Sequence, residues 1–329
     1  METALAMIRG ARRVLIAGHL RADGDCLGSE SVLYHALTGL GAEVRVMNPD
    51  PPDPRYAFLH AHTPFEVWMP GAAAPPHDLL LVCDCCTLVR LGAFGALLGA
   101  GSAPRLAVDH HPIDAAERAE WTALVHDVRA PASGLLAMRI ARGLGVPLPL
   151  PALEAGFAAL ATDTGWFRYP TADAEAWALA AELVAAGVQP ATIFAAIHQQ
   201  TDAARPLGLA AALAATEYHA DGRLALVALS QAALAACGGT LEDTDEVLEV
   251  LRGVGRVQAV AFVHELPDGR VKASLRSKLA ALDLNPLARA LGGGGHARAA
   301  GVTFAAGTAL ADARSRLLGV LLPALGVPA

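Results

Sequence analysis

The sequence predicts an α/β protein of two domains: a mainly parallel sheet, then a helical connector, then a smaller α/β domain. Three observations support this. Short apolar runs alternate with helix-like segments through the first two-thirds of the chain, an Ala-rich helical stretch covers residues 172–218, and a second alternating region begins at Arg223. Strands that are separated by helices form crossover units, and crossover units produce a parallel sheet.

The first domain is predicted to contain five strands, each from a short run rich in Val, Leu and Ile. They are 12–17, 43–47, 78–83, 105–108 and 123–126. Helical periodicity and terminating residues predict three helices, 27–39, 133–144 and 153–162. The first helix ends near Gly41, and Gly145 and Pro147 end the second.

The second domain is predicted from a similar alternation after the helical stretch. Its strands are 224–229, 257–264, 271–275 and 299–304. A helix at 285–291 precedes the glycine run 292–295, and a closing helix begins at Thr308. We therefore place the first domain at residues 1–190, the helical linker at 191–220 and the second domain at 221–329.

Composition and charge exclude several classes of protein. The chain of 329 residues is 54% hydrophobic and 17% charged, which argues against disorder. Its net charge of −7 argues against a general binder of long nucleic acid but allows a small phosphorylated ligand. We find no apolar run of about 18 residues and no signal-peptide pattern at the start, so we expect a cytoplasmic protein without a membrane span.

The five cysteines indicate a reducing compartment, because their number is odd and their spacing fits no disulfide framework. Cys83, Cys85 and Cys86 could suggest a zinc–thiolate site. Their spacing is not that of a C-x-x-C pair, so we interpret them as packing residues, with zinc ligation as a minor alternative.

Acidic and imidazole side chains follow three of the predicted strands. His19, Asp23 and Asp25 follow the first strand, Asp84 follows the third, and Asp109 begins an Asp-His-His triplet after the fourth. Because ligand sites form at the carboxyl ends of parallel strands, these groups would meet in one cleft.

So many carboxylates in one cleft would repel each other unless cations lay between them. The candidate metal ligands are His19, Asp23, Asp25, Asp84, Asp109, His110 and Asp163. This set would serve two ions about 3.5–4 Å apart, and its imidazoles favour Mn²⁺, with Mg²⁺ possible. Taken singly, each carboxylate also fits a turn or a helix cap, for instance before the helix at Leu27.

The glycine run of the second domain predicts a phosphate-binding loop. Four glycines let backbone N–H groups approach an anion, and an arginine can hold a phosphate with two hydrogen bonds. The candidate substrate-binding residues are Arg276, Ser277, Gly293, Gly294, Gly295 and His296. The alternative, a flexible linker, fits less well because the run lies between a helix and a strand.

The motifs resemble those of a known family. HLRADGDCLGS (19–29), VCDCC (82–86), VDHHP (108–112) and ATDTGWFRY (161–169) are similar to the four motifs of the DHH phosphoesterases. SLRS (274–277) and GGGGHARAAG (292–301) resemble the DHH-associated domain. The resemblance covers nearly the whole chain and is closest to the short nanoRNase-like (NrnA-type) subgroup.

The resemblance implies residue roles. His19 and Asp23 would bind one ion, Asp25, His110 and Asp163 the other, and Asp84 would bridge them. Asp109 would be a ligand or would orient a neighbouring imidazole, and His111 would be the catalytic imidazole. Arg90 could belong to the site or to the surface. Three residues depart from the family pattern: Leu135 stands where Glu is frequent, and Cys85 and Cys86 stand where Thr or Ser is usual.

The implied activity is hydrolysis of very short oligonucleotides and of 3′-phosphoadenosine 5′-phosphate by a metal-bound hydroxide, an oligoribonuclease and exonuclease activity. The sequence does not rank RNA dinucleotides, DNA dinucleotides, phosphoadenosine phosphate and cyclic dinucleotides as substrates. Alternatives are a cyclic dinucleotide phosphodiesterase, an inorganic pyrophosphatase or exopolyphosphatase, and a non-catalytic nucleotide-binding module. The resemblance also suggests a homodimer, and we expect no binding of long duplexes.

Overall fold

The computed structural model describes residues 1–239 and 245–327, and the chain divides into two units, Met1–Gln200 and Thr201–Ala329. Residues 240–244 and 328–329, which fall within the predicted second domain 221–329, lie outside the described residues. Of the predicted linker 191–220, the first ten residues belong to unit 1 and the remainder to unit 2.

Unit 1 is built on a parallel sheet of six strands. They are β1 (Arg13–Ala17), β2 (Glu43–Asn48), β3 (Phe65–Val67), β4 (Leu79–Cys83), β5 (Arg105–Asp109) and β6 (Ala123–His126). Their order is β3-β2-β1-β4-β5-β6, and every neighbouring pair is parallel. The predicted α/β class and parallel sheet are confirmed. Each of the five predicted strands ends within one residue of its observed end, whereas the three-residue strand β3 was not predicted.

Nine helices of unit 1 lie in the described residues. They are α1 (Glu2–Gly10), α2 (Gly24–Gly39), α3 (Ala57–His60), α4 (Gly92–Gly99), α5 (Ala115–Arg118), α6 (Ser133–Leu144), α7 (Leu150–Asp163), α8 (Ala174–Ala185) and α9 (Pro190–His198). Helix α2 begins three residues before its predicted start because the Asp23 side chain caps it, accepting from the N–H groups of Asp25 and Cys26 at 3.1 Å each.

The strand order places a switch point between β1 and β4. From β1 the chain continues to β2 and β3 on one side, and then crosses to β4 on the other side. Loops that leave neighbouring strands in opposite directions open a crevice at the carboxyl ends of those strands. The segments that follow β1 and β4 therefore face a common crevice.

Helices α2, α6 and α7 pack unusually closely beside this crevice. A Cβ atom on Gly28 would lie 2.5 Å from the backbone oxygen of Ala155, and one on Gly134 would lie 2.3 Å from the Cβ of Ala159. Glycine at both positions lets the three helices approach one another more closely than any side chain would permit.

Unit 2 contains a second six-stranded sheet. Its strands are β7 (Thr216–His219), β8 (Leu224–Leu229), β9 (Ala259–Glu265), β10 (Val271–Ser277), β11 (Gly294–Gly295) and β12 (Ala299–Phe304). The order is β11-β12-β10-β9-β8-β7, with β8 and β9 parallel and the other pairs antiparallel.

The described helices of unit 2 cover both faces of this sheet. They are α10 (Ala204–Ala214), α11 (Gln231–Cys237), α12 (Asp245–Arg252), α13 (Leu284–Ala290) and α14 (Leu310–Ala324). One apolar cluster includes Leu226, Leu275 and Leu317, and a second includes Val227, Leu248 and Phe262. Alternate residues of a strand thus contribute to separate cores on the two faces.

Among the described residues, no single helix has the length and apolarity to cross a membrane. The pair Ala174–Ala185 and Pro190–His198 reaches that length and composition only together, and it is bent by 104°.

We expect Gly28→Ala to lower the free energy of unfolding by about 2 kcal/mol, because the added methyl group must push α7 away from α2. Gly10→Ala is the matched control, since a Cβ on Gly10 would meet no atom within 4 Å. Urea denaturation of both variants checks this. Equal midpoints for Gly28→Ala and the parent protein would contradict the close-packing account.

Candidate metal centre

Six of the seven predicted metal ligands, all but Asp109, come together beside the carboxyl ends of the strands of unit 1. Three groups bring potential ligand atoms within 4.8 Å of one another. They are His19–Asp23–Asp84, Asp25–His110–Asp163 and Asp84–His110–His111. The first two groups separate the ligands as the family roles do, and Asp84 lies between them.

Asp84 holds its central position at the cost of backbone strain. Its φ is 57°, a left-handed conformation that residues other than glycine rarely adopt, and its N–H continues the ladder by donating to Val108 at 2.8 Å. Such strain persists where the surroundings enforce it, most often at functional sites.

The two oxygens of Asp84 face different imidazoles. Oδ2 lies 3.4 Å from His19 Nε2, whereas Oδ1 lies 3.8 Å from His110 Nε2 and 3.6 Å from His111 Nδ1. A carboxylate with one oxygen toward each group is arranged to bridge two cations.

Two buried ring nitrogens of the predicted ligands lack hydrogen-bond partners in the described part of the chain. They are the Nε2 atoms of His19 and His110. The Nδ1 atoms of both rings lie at backbone oxygens, His19 at 2.9 Å from Leu20 and His110 at 3.0 Å from Ala130.

This pattern fits metal-binding imidazoles. In its neutral form, a ring whose Nδ1–H donates to a carbonyl has an unprotonated Nε2 that can bind a cation, and the same bond fixes the orientation of the ring. The donor set of carboxylate oxygens and imidazole nitrogens also suits a divalent ion such as Mn²⁺. The residues present therefore fit a pair of divalent cations.

Asp25 and Asp163, the carboxylates of the group Asp25–His110–Asp163, resist ionisation as long as no cation is bound. Burial, and then the neighbouring Asp84 charge, raise the pKa of Asp25 well above its usual value. Burial likewise raises the pKa of Asp163 to about 6, although His110 opposes the shift. Bound cations would reverse both effects, since a positive charge favours the ionised form.

Backbone donors at the start of α6 fix the orientation of Asp25. The N–H groups of Ser133 and Gly134 donate to its two oxygens at 2.7 and 2.8 Å, and the Ser133 hydroxyl donates to Asp84 Oδ1 at 2.9 Å. A helix N-terminus favours a carboxylate through its exposed N–H groups and its dipole. The sequence reasoning missed this role, although the Ser-Gly pair at a predicted helix start was a usable signal.

Asp109 serves His111 in this structure. Its Oδ1 accepts from the His111 backbone N–H at 3.0 Å and lies 2.8 Å from His111 Nδ1. Burial acts to raise the Asp109 pKa, but the bonds from His111 outweigh it and the pKa is lowered. Because Asp109 belongs to none of the three groups, the geometry favours its orienting role over its role as a metal ligand.

The hydrogen bond to Asp109 leaves His111 as a cationic imidazole over a wider pH range. That bond is the main cause of the raised pKa of His111, and burial partly opposes it. The side chain is 44% exposed, so it stands at the edge of the crevice.

A buried network supports the segment before His19. Asn48 Oδ1 accepts from the Gly18 N–H at 2.7 Å, and Asn48 Nδ2 donates to Glu30 at 2.9 Å. A Cβ at Gly18 would lie 2.3 Å from the Cys26 sulfur, so only glycine fits there. Burial raises the pKa of Glu30 to about 8. Neither Asn48 nor Glu30 was predicted, because a buried glutamate within a helix looks like a surface residue in the sequence.

The cysteines near the crevice carry thiols. Cys83, Cys85 and Cys86 are buried, and burial raises the pKa of each, that of Cys85 to about 12. Each of the three belongs to a buried apolar cluster, which agrees with the interpretation as packing residues. Arg90 is exposed and its guanidinium lies 3.4 Å from the backbone oxygen of Asp84.

The predicted phosphate-binding residues lie in unit 2. Gly293 and Gly295 permit the loop and β11 to lie against β12. A Cβ on Gly293 would lie 2.1 Å from Gly301 O, and one on Gly295 would lie 2.5 Å from the Ala300 Cα. A Cβ on Gly294 would meet no atom, and His296 is exposed. This part of the loop can therefore be reached by a ligand.

The two SLRS residues differ in their surroundings. Ser277 is buried, and its hydroxyl donates to Leu279 O at 3.2 Å and accepts from Leu279 N–H at 3.1 Å. Arg276 is half-buried, with Nη1 donating to Leu275 O at 3.1 Å. The Ser277 hydroxyl thus shapes the end of β10, whereas the Arg276 side chain extends from that strand end.

Comparison with known proteins identifies two domains. Residues 13–162 match the model of the DHH family, N-terminal domain, and residues 230–321 match the DHHA1 domain. Two curated proteins match over most of their length. The bifunctional oligoribonuclease and PAP phosphatase NrnA of Thermus thermophilus is 28% identical over 88% of this chain and 84% of its own. The probable bifunctional oligoribonuclease and PAP phosphatase NrnA of Streptococcus mutans is 26% identical over 91% of this chain and 92% of its own.

A solved structure shares the fold. An exopolyphosphatase-related protein from Bacteroides fragilis superposes with a TM-score of 0.82 at 22% sequence identity, covering 99% of this chain and 95% of that one.

We expect the stability of the metal-free protein to depend on pH through Glu30. A raised pKa means that stability is lost as the pH rises through about 8, because the carboxylate must then ionise in the interior. Between pH 6 and pH 9 the parent should lose about 2 kcal/mol more unfolding free energy than Glu30→Gln.

Urea denaturation in EDTA at both pH values tests this, with the exposed Glu43→Gln as the control. Parallel losses in the parent and in Glu30→Gln would show that Glu30 does not titrate as described.

Proposed function

Because the chain carries the DHH and DHHA1 domains of the DHH phosphoesterase family, we propose that it hydrolyses phosphate esters in very short oligonucleotides and in 3′-phosphoadenosine 5′-phosphate. The observation that carries this proposal is the pair of ligand groups on either side of Asp84, with buried, unpartnered Nε2 atoms on His19 and His110. The names of the curated relatives supply the substrate class.

The proposal assigns each ligand to an ion. His19, Asp23 and Asp84 would hold one, and Asp84 with Asp25, His110 and Asp163 would hold the other. Such ions supply Lewis-acid activation of water and neutralise charge on the phosphate. We propose Mn²⁺ for both, because each group contains an imidazole.

Hydrogen bonds within the chain orient the proposed metal ligands. Ser133 and Gly134 hold Asp25 in one orientation, and the carbonyls of Leu20 and Ala130 hold the two ligand imidazoles. A ligand set fixed in this way spends little free energy on reorganisation during the reaction.

His111 is proposed as the general acid of the reaction. Asp109 holds the Nδ1 side of the ring, so the Nε2–H of the imidazolium is the donor left for a leaving-group oxygen. The hydrogen bond to Asp109 raises the pKa of His111 and so favours this protonated form.

Unit 2 is proposed to bind a terminal phosphate of the substrate. Arg276 and His296 would supply the hydrogen-bond donors for it, the open space at Gly294 would let the phosphate approach the backbone, and Ser277, Gly293 and Gly295 shape the loop. The net charge of −7 and an aromatic content of 5% suit a short ligand, because long single strands need extended basic and stacking surfaces. We propose that the protein acts in the cytoplasm, and as a homodimer.

A substrate panel should separate this function from its alternatives. With Mn²⁺, we expect release of mononucleotides from an RNA dinucleotide and of phosphate from phosphoadenosine phosphate, each at least about tenfold faster than hydrolysis of pyrophosphate or of a cyclic dinucleotide. Chromatography of the products measures this. Survival of the dinucleotide while pyrophosphate is consumed would establish the pyrophosphatase alternative instead.

Substitutions in the metal centre should separate ligand from acid roles. Asp84→Asn tolerates the left-handed backbone but removes the bridging charge, so turnover should fall by more than about a hundredfold. His111→Gln should lower kcat by about a hundredfold or more. The exposed His62→Gln is the control.

Asp109→Asn should move the alkaline limb of the kcat–pH profile to lower pH, because His111 loses the partner that raises its pKa. A limb at the parent position would show that His111 is not the group whose protonation limits the rate.

A further inference from the structure

Unit 2 contains a cluster of basic residues apart from the glycine run 292–295 and His296, which we call the glycine loop. A pocket of about 600 Å³ is lined by residues that include three bases and one acid, Arg223, Arg256, Lys278 and Asp221. We call it the basic pocket. With two more positive than negative charges, its lining attracts anions.

The basic side chains of this pocket are held by carbonyls. Arg223 Nη1 donates to Leu325 O at 2.7 Å, Lys278 Nζ to Val254 O at 2.7 Å, and Arg256 Nη1 to Asp221 O at 3.3 Å. None of the three forms an ion pair with another described residue. Carbonyl oxygens orient these side chains without neutralising them, so the positive charge of the side chains is available to a bound anion.

A strained turn positions Arg256. Ala220, Asp221 and Gly222 all have positive φ angles, 53°, 55° and 81°. A Cβ on Gly222 would lie 2.9 Å from the Arg256 Cδ, so the turn contacts the arginine stem directly. The turn joins β7 to β8, and positive φ angles are typical of such hairpin turns, so the hairpin fixes the position of the Arg256 stem.

The basic pocket lies at the same end of the sheet as the glycine loop. A row of backbone bonds joins them: Gln258 N–H donates to Arg223 O at 2.7 Å, and Lys278 N–H donates to Gln258 O at 2.8 Å. In the neighbouring strand pair, Ser277 N–H donates to Arg298 O at 3.0 Å. Strand β10 thus carries Arg276 next to its last residue, opposite Ala299, and leads directly into Lys278 in the pocket.

We propose that the basic pocket is a second phosphate-binding site of unit 2. One carboxylate is too few for a divalent cation, and the apolar lining, Val257 and Leu279, offers no aromatic face for a base. The guanidinium groups of Arg223 and Arg256 and the ammonium group of Lys278 are suitable hydrogen-bond donors for the oxygens of a phosphate group. Its source is either a phosphodiester of an oligonucleotide longer than two residues or a free nucleoside monophosphate.

The test is calorimetric titration of the full chain in EDTA. The probes are 5′-phosphorylated adenosine dinucleotide, the corresponding tetranucleotide and adenosine monophosphate. Arg256→Gln/Lys278→Gln removes two charges from the pocket. Arg270→Gln/Lys272→Gln removes two charges from exposed positions near the other end of β10 and is the matched control.

A phosphodiester ligand predicts that the pocket variant binds the tetranucleotide about tenfold more weakly, with the dinucleotide unchanged. The slope of log affinity against log salt should also fall by about 0.7 for each lost contact. A free-nucleotide ligand predicts instead that the number of monophosphate sites falls by one.

If the pocket variant matches the control with all three probes, the proposal is wrong. Only the use of oligonucleotide probes rests on the proposed function. Since these titrations need no turnover, an enzyme that hydrolyses none of its proposed substrates could still bind phosphate here, and the two failures are distinguishable.

Discussion

Repulsion among the carboxylates around Asp84 is the constraint on which unit 1 depends. Burial, and then the charges of Asp84 and Asp163, raise the pKa of Asp25, and burial with the charge of Asp84 raises that of Asp163 although His110 opposes it. An interior that gathers anions is stable only if something compensates their charge. Part of the compensation is built in, as the N-terminus of α6 shows, and divalent cations would supply the remainder.

Other features of unit 1 become intelligible as supports for this cluster. The switch point between β1 and β4 places His19 and Asp84 on facing loops. Gly28 and Gly134 allow α2, α6 and α7 to approach closely, which brings the N–H groups of α6 to Asp25. The fold therefore sets the positions of the candidate ligands through helix termini and through the segments that directly follow the strands.

The sequence predicted the elements and residues whose chemistry is visible in side chains. Acids and imidazoles after apolar strands, such as Asp84 and His110, are costly to place without purpose and so are conspicuous. Backbone donors leave no such trace, which is why the role of Ser133 and Gly134 went unpredicted. Asp23 shows a different limit: its capping and ligand interpretations were weighed as alternatives, yet one side chain caps α2 and also lies in the first ligand group.

The backbone conformation of Asp84 restricts which amino acids evolution or a designed library can place there. Folding favours glycine or asparagine at a φ of 57°, whereas the two ligand groups require a short carboxylate between them. Aspartate alone meets both demands, because glutamate would set its oxygens one methylene farther along. Selection for folded protein and selection for catalysis should therefore enrich different residues at this single codon, so that deep mutational scanning could separate the two pressures at position 84.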